Sequence, residues 1–429
     1  MGPVKLRREG DNFVWMWEQE NIVLRLSRLR EEEGDVVAEL LVQTARPVEG
    51  NRPGHYFLGR LNLLAPRSRQ EVVRMLATRT DKIPWRDMLE YAIVETVGLW
   101  REGEPVIDLA SLPEPAAAPA LVEPLLAEKQ PTVIYAQGGS GKSFLALAIG
   151  LAVQTGQALP PPLRVRRRTA VLYLNWEDDA EDQRVRLGYL ARGWGLEALP
   201  SYLHRRMHRP LADDLDAVRR WVSERAIGLL IIDSIAMAAG GELKETEPVI
   251  RFFQALRELR AASLIISHIS KEGMMLRQAT PYGNVFVINS ARSVWELRRD
   301  LESREEVVMA LYHRKVNHGP LWPTPIGLRL RFDEGRRLVT LSAADVAEHE
   351  TLAESAHLGW RILAILRQAR EPLTAQDLAE RLEIGENSVR AMLSRLRGQG
   401  HVVALEDSRG GRGRPTRWAL AASAEDAPF

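Results

Sequence analysis

Apolar and polar positions divide the chain into three stretches with different periods. Between residues 12 and 64 apolar positions alternate with polar ones: Phe13/Trp15/Trp17, Ile22/Leu24/Leu26, Val36/Ala38/Leu40/Val42, then Tyr56/Leu58 onward. A period of two buries one side of each segment, so these read as strands, separated by turn formers at 33–34 and 50–54. Ser68-Arg69-Gln70-Glu71 has the form of a capping box opening a helix with Val72, Met75 and Leu76. A second helix over 85–100 places Met88, Leu89, Ala92, Ile93 and Trp100 on one face. The expectation is a small α+β domain over 1–103.

A Pro/Ala-rich linker is expected over 104–130, its last part packing on the next domain. From 131 to 345 short β-branched runs alternate with helical ones, which predicts an α/β domain built on a mostly parallel sheet. Its buried strands fall at 133–135, 169–173, 227–233 and 263–267, with helices after residue 142 and over 181–194, 214–225 and 247–261. Residues 272–284 are polar and contain Gly and Pro, predicting a long loop. Further strands at 285–288, 293–297, 307–312 and 328–332 are expected to extend the sheet antiparallel.

The third stretch, 355–421, reads as helix (358–370), a second helix capped by Thr374, a tight turn (384–387), a recognition helix (388–399) and two strands around a basic hairpin, 409–414. This is a winged helix-turn-helix pattern. Between 358 and 420 there are 11 Arg against 7 Asp plus Glu. The excess makes Arg390, Arg395, Arg397, Arg409, Arg412 and Arg414 candidate contacts to duplex DNA, with protein docking the alternative use of such a module.

Composition changes this picture little. A net charge of +1 argues neither for nor against nucleic acid, so local patches must decide. The absence of cysteine excludes disulfides and thiolate-held zinc, and the nine histidines show no metal-type spacing. No apolar run approaches 18 residues, so a soluble, cytoplasmic chain with no membrane partner is expected. Lysine is scarce: Lys5, Lys82, Lys129, Lys142, Lys244, Lys271 and Lys315 are all there are. That scarcity singles out Lys142, Lys271 and Lys315 as places where a compact charge is wanted.

The densest chemistry lies in PTVIYAQGGSGKSFLALAIG, residues 131–150. A strand, a glycine-rich turn and an apolar helix in that order form a phosphate cradle: backbone N–H groups of Gly138, Gly139, Ser140 and Gly141 point inward, and the helix adds its positive end. Lys142 would reach the outer phosphates, the Ser143 hydroxyl would sit on Mg²⁺, and Phe144 follows at the cradle's edge. Ala136 stands where the usual spacing has glycine. The strand ending at Asp233, about 90 residues later, has the form of a Walker B strand whose carboxylate shares the Mg²⁺ with Ser143. ATP and Mg²⁺ are thus the expected ligands.

The motif order AQGGSGKS, YLNWED, LLIIDS, ISHISK, YGNVFVINSAR and HRKVNHGP resembles the RecA-type motor ATPases, in particular plasmid RepA-type hexameric helicases and their AAA-type relatives, over roughly residues 121–335. The resemblance implies a RecA-like core in which Glu177 polarises the attacking water, Asp178 being the alternative, and His268 senses the γ-phosphate. It implies a basic finger, Arg292 or Lys315, reaching a neighbouring subunit's nucleotide, although Asn317-His318 departs from the family's KxRNGP pattern. Lys244, Lys271 and Arg277 would follow single-stranded DNA in the channel of a homo-hexamer. The expected activity is that of a ring-forming DNA motor, with an ATP-switched DNA-binding regulator or loader and a RecA/RadA-like recombination factor as alternatives. The role of the first domain stays open: Arg25, Arg28, Arg30, Arg60, Arg67 and Arg69 with nearby aromatics could line a DNA groove, or Trp15, Trp17 and Trp85 are core.

Overall fold

The computed structural model describes residues 2–9, 12–49, 52–103, 106–113, 120–269, 285–300, 305–317, 319–405 and 415–421. These fall into two units, Met1–Pro115 and Ala116–Phe429.

In the first unit β1 (Val4–Glu9), β2 (Asn12–Trp17), β3 (Ile22–Glu32), β4 (Asp35–Glu49) and β5 (Arg52–Asn62) form an antiparallel meander in chain order. Helices α1 (Pro66–Ala77) and α2 (Trp85–Glu102) pack on it through Val72, Leu76, Met88, Leu89 and Ile93. The helix placed by a capping box at Ser68 instead begins three residues earlier, with N-cap Ala65 lacking a side-chain cap and Pro66 in the first turn. Proline is preorganised for that position and needs no capped N–H. Trp15, Trp17 and Trp85 are core residues. The Trp15 indole donates to Thr96 Oγ1 at 2.8 Å and that of Trp85 to the Thr80 carbonyl at 2.9 Å. Four of the six arginines proposed for a groove sit beside carboxylates: Arg28 with Glu39, Arg30 and Arg60 with Glu32, and Arg69 with Glu90.

The second unit starts with a hairpin, β6 (Ala120–Glu123) and β7 (Leu126–Ala127), where the sequence suggested linker; Leu121, Val122, Leu125 and Leu126 are buried in the core of this unit. The chain continues through β8 (Pro131–Ala136), α3 (Lys142–Thr155), β9 (Arg164–Val165), β10 (Ala170–Asn175), α4 (Ala180–Gly193), β11 (Leu203–Arg206), α5 (Leu215–Glu224), β12 (Ile227–Asp233), α6 (Ile235–Ala238), α7 (Thr246–Leu259) and β13 (Ala262–His268). Then come α8 (Val285–Ser290), β14 (Ser293–Arg299), β15 (Glu306–Val316), β16 (Ile326–Asp333) and β17 (Leu338–Ala343). The nine-stranded sheet has the order β11-β10-β12-β13-β8-β14-β15-β16-β17. Strands from β11 to β14 run parallel and β15 to β17 antiparallel. This is the expected α/β architecture with a mostly parallel sheet, and each face carries its own apolar core.

Two sequence expectations are corrected here. Residues 285–288 are not a strand: α8 is a short helix whose Val287 is buried while Val285 and Phe286 stay exposed. Its β-branched composition loses to a long-range cap, because Lys315 Nζ donates to the carbonyls of Ile288, Asn289 and Ala291. Strand β14 joins the parallel half rather than the antiparallel extension, pairing directly with β8.

The C-terminal module comprises α9 (Glu350–Ala353), α10 (Leu358–Gln368), β18 (Leu373–Thr374), α11 (Ala375–Leu382), α12 (Glu386–Gly398), β19 (Val402–Leu405) and β20 (Arg417–Leu420). Thr374 and Asp377 form a reciprocal capping box on α11. Strand β20 pairs with both β18 and β19, as in a wing. A small cluster joins this module to the sheet: Val308, Ala310 and Tyr312 of β15 pack with Leu352, Ala356 and Trp360.

Replacing the fully buried Trp17 by Ala should cost about 3–5 kcal/mol and lower the urea midpoint for proteolytic release of the first unit from the full chain. An unshifted midpoint would remove that ring from the core.

Candidate functional site

Strand β8 lies in mid-sheet, so the turn after Ala136 emerges between the ends of β13 and β14. Gly139 (φ 71°) and Gly141 (φ 89°) adopt left-handed backbone, which a side chain would strain. A Cβ on Gly141 would also come within 2.9 Å of Met309 Cε. Gly141 caps α3 without a side chain, leaving the first-turn N–H groups open to the cleft. Ala136, at the position where glycine is usual, is fully buried and its carbonyl accepts from Lys142 Nζ at 3.1 Å. Lys142 also donates to the Gln137 carbonyl at 2.6 Å and touches Ser140 Oγ at 3.4 Å. Burial lowers its pKa to about 8, against the opposing pull of Asp233 and Glu177.

Asp233 ends β12 and is nearly buried. Its Oδ2 accepts from Ser143 Oγ at 3.0 Å and from the Tyr173 phenol at 2.6 Å. Burial pushes this carboxyl upward, the Tyr173 hydroxyl draws it down, and the charge of Glu177 adds to the rise. Burial, then Asp233, pushes the Tyr173 phenol well above its ordinary value, so its hydroxyl keeps the proton that it donates to Asp233. Sequence reading misses Tyr173, because its alternation inside a buried strand looks like packing alone.

Glu177 follows β10 and is aimed by Asn175. The fully buried Asn175 accepts at Oδ1 from the Glu177 and Asp178 N–H groups at 2.8 and 3.0 Å, fixing the turn. Ser234 Oγ donates to Glu177 Oε1 at 2.6 Å, and His268 Nε2 stands 3.7 Å from the same oxygen, too long for a hydrogen bond. His268 is the largest influence lowering the Glu177 carboxyl; burial opposes it and Ser234 assists. Asp178 turns to Arg186 instead, at 2.5 Å. Of the two acidic neighbours, Glu177 alone lines the cleft.

That cleft has a volume of about 360 Å³ and is bounded by Gly139–Phe144, Glu177, Asp233, His268 and Arg299. Phe144 meets Phe332 edge to face at 5.3 Å along its apolar wall. Arg299, which no motif marks, donates from Nη1 to the Gly139 carbonyl at 2.7 Å. A wider groove of about 800 Å³ near Trp322 has its Glu123 and Arg166 paired to each other and none of these motifs.

Arg292 and Lys315 lie elsewhere. In register, Ser293 pairs with Thr132 and Glu296 with Tyr135. Arg292 therefore sits at the start of the β8–β14 pair, about 23 Å of strand from Arg299. Neither residue borders the cleft of its own chain. Lys315 spends its three donors on the end of α8, and burial, then Arg292, lowers its pKa. Arg292 has no ion-pair partner among the described residues.

Lys244 is exposed in the turn before α7. Arg390, Arg395 and Arg397 are exposed on α12, Arg390 pairing with Glu386. Lys271, Arg277, Arg409, Arg412 and Arg414, together with the 272–284 loop, lie outside the described residues.

A donor test bears on the expected ligands. The half-buried Ser143 hydroxyl and the buried Asp233 carboxylate beside a backbone cradle and a desolvated ammonium suit a phosphate-bound Mg²⁺, which takes few protein ligands. Among the described residues no group of three or more His, Cys, Asp or Glu could hold a metal without such a phosphate.

Comparison with known proteins agrees with the geometry. Residues 102–274 match the family described as AAA domain, and residues 361–412 the one described as HTH domain. No curated protein sequence matches the chain. Among solved structures, the KaiC-like protein PH0186 of the hyperthermophilic archaeon Pyrococcus horikoshii OT3 is similar at 14% identity and a TM-score of 0.36, over 52% of this chain and 93% of that one. The central α/β domain with its P-loop is thus similar to AAA-type ATPase domains, and the C-terminal module to helix-turn-helix domains. No helix among the described residues is long and apolar enough to cross a membrane.

The depressed Lys142 pKa of about 8 sets a pH dependence. Above that value the free site holds a neutral amine, and an incoming phosphate restores the ammonium. Nucleotide binding should therefore take up about half a proton near pH 8 and almost none from this group near pH 6.5. Calorimetry in buffers of different ionisation heat reads this directly; uptake that does not grow with pH would contradict the assignment.

Proposed function

We propose that the chain is an ATP-hydrolysing DNA motor that works as a ring, with each nucleotide shared between neighbouring copies. In this reading the backbone of 138–141 and Lys142 hold the phosphates of ATP. Mg²⁺, carried by Ser143 and Asp233, would neutralise phosphate charge. Glu177 takes a proton from water attacking the γ-phosphorus; the terminal P–O bond breaks, releasing phosphate and ADP. Tyr173 and Asn175 keep the two carboxylates apart in role: one fixed toward Ser143, the other toward the water.

The observation that carries the shared-site reading is the placement of Arg292. It lies at the far end of the strand that ends beside its own P-loop, without an ion-pair partner among the described residues, while Lys315 is consumed in capping α8. A cation in that place serves a second copy better than its own. The exposed α12 arginines suit duplex DNA, and Lys244 with Lys271 and Arg277 suit a single strand.

A second reading, an ATP-switched DNA-binding regulator or loader, draws support from the packing of Trp360 and Leu352 on β15, which ties the helix-turn-helix module to the ATPase sheet. Strand displacement on forked DNA separates the two: the motor requires it with ATP and Mg²⁺, and the switch gives duplex binding alone.

Glu177→Gln should retain ATP binding and lose about 10²–10⁴ in hydrolysis; Arg292→Ala should lose about 10³–10⁵. Mixing the two inactive proteins should restore part of the rate, since one contributes an intact cleft and the other an intact arginine. No recovery on mixing, with full activity in a dilute monomer, would overturn the shared site.

A further inference from the structure

The end of β14 touches two things at once. Arg299 reaches back to the P-loop through the Gly139 carbonyl, and its Nε is shut from solvent without an acceptor among the described residues. The next residue, Asp300, faces the connector into the helix-turn-helix module: its Oδ2 lies 2.9 Å from His349 Nδ1, and its Oδ1 accepts from Thr351 Oγ1 at 2.9 Å. Both Asp300 and His349 are largely buried, at 12% and 6% exposure. The Asp300 backbone N–H donates to the Val308 carbonyl at 2.8 Å. Val308 in turn belongs to the cluster that holds Leu352 and Trp360.

We propose that Arg299–Asp300 is a coupling element: Arg299 binds the phosphates of the nucleotide in its own chain, and Asp300 passes its position to the module that carries α12. This rests on the ATP reading of the cleft. A neutral carbonyl is a weaker partner for a guanidinium than an anionic phosphate oxygen, which adds opposite charge and can take two donors at once. With nucleotide in the cleft, Arg299 exchanges the Gly139 carbonyl for phosphate and engages its idle Nε. The β14 end is pinned to β15, so its displacement goes to the neighbouring Asp300 rather than dissipating in a loop. The Asp300 carboxylate holds the first turn of α9, and the Tyr312 phenol and Arg314 hold the Leu352 and Ser355 carbonyls a few residues on. The connector thus has one anchor at the end of the strand that carries Arg299 and two on β15, so a small shift at Asp300 becomes a rotation of α10 and the helices behind it.

Hydrogen–deuterium exchange on the full chain tests this, with and without a non-hydrolysable ATP analogue and Mg²⁺. In the wild-type protein bound analogue should change exchange in 346–360 by at least about fivefold, the low end of ordinary coupling factors of about 5–150. Asp300→Ala, and separately Thr351→Ala, should bind analogue within about twofold of wild type and lose that response. Arg299→Ala should bind analogue about tenfold more weakly and show no response at saturation. Duplex DNA affinity should change with analogue in the wild type and stay constant in the three variants. A wild-type response that persists in the variants, or bound analogue with no response at all, overturns the coupling while leaving the ATP site standing. Failure of the wild-type chain to bind the analogue overturns the nucleotide reading, and the inference falls with it.

Discussion

Opposite charges held out of water at one edge of a parallel sheet set the conditions for everything else in the ATPase domain. Lys142 and Asp233 are both buried, and neither is neutralised by a direct pair with the other. Desolvating a charge costs several kcal/mol unless hydrogen bonds replace the lost water. The replacements come from separate elements: Tyr173 from β10, Ser143 from α3, and the P-loop carbonyls after β8. The sheet order is what lets these converge, because β10 and β13 flank β12 and β13 separates it from β8. The residual imbalance, a lysine whose charge is weakly held, is what a polyphosphate would relieve.

The same sheet has a second half with a different task. Strands β15 to β17 run antiparallel, close over the glycine-rich turn through Met309 and Leu330, and present their other face to the C-terminal module. A buried carboxylate, Glu296, binds Arg298 and Arg314 there, and Arg314 continues to the Ser355 carbonyl. The strand that borders the cleft through Arg299, β14, therefore lies next to the strand that holds the C-terminal module, β15, and both belong to the sheet that carries the P-loop.

Local signals make the architecture legible. Glycines at 139 and 141, the apolar run into Asp233 and the Thr374 cap each obey a short-range rule that the folded chain keeps. The features that escape a sequence reading are decided at long range. A turn of helix at 285–290 exists because a lysine 24 to 27 residues downstream of the capped carbonyls holds its end. Strands β11 and β17 carry little signal of their own, being short or flanked by charge, and they form because the sheet offers them an open edge. Within the site, Glu177 and Asp233 have roles that their motifs imply, whereas Tyr173, Asn175 and Ser234 in the same motifs, and Arg299 outside them, acquire meaning only from what they touch. The first unit's aromatics show the converse: period two locates Trp15 and Trp17 but cannot say that both are sealed in a core.

The separation between Arg292 and the P-loop of the same chain has a consequence for how copies would meet. If the arginine of one copy completes the cleft of the next, the two contacting surfaces are different ends of one sheet, so the contact is heterologous rather than two-fold. Head-to-tail contacts have no natural stopping point: rotation per copy decides between a closed circle and an open helix. The rate law would carry the signature of this geometry. Turnover per chain would rise with protein concentration and level off once neighbours are in place, and the last copy of any open assembly would always hold one idle cleft.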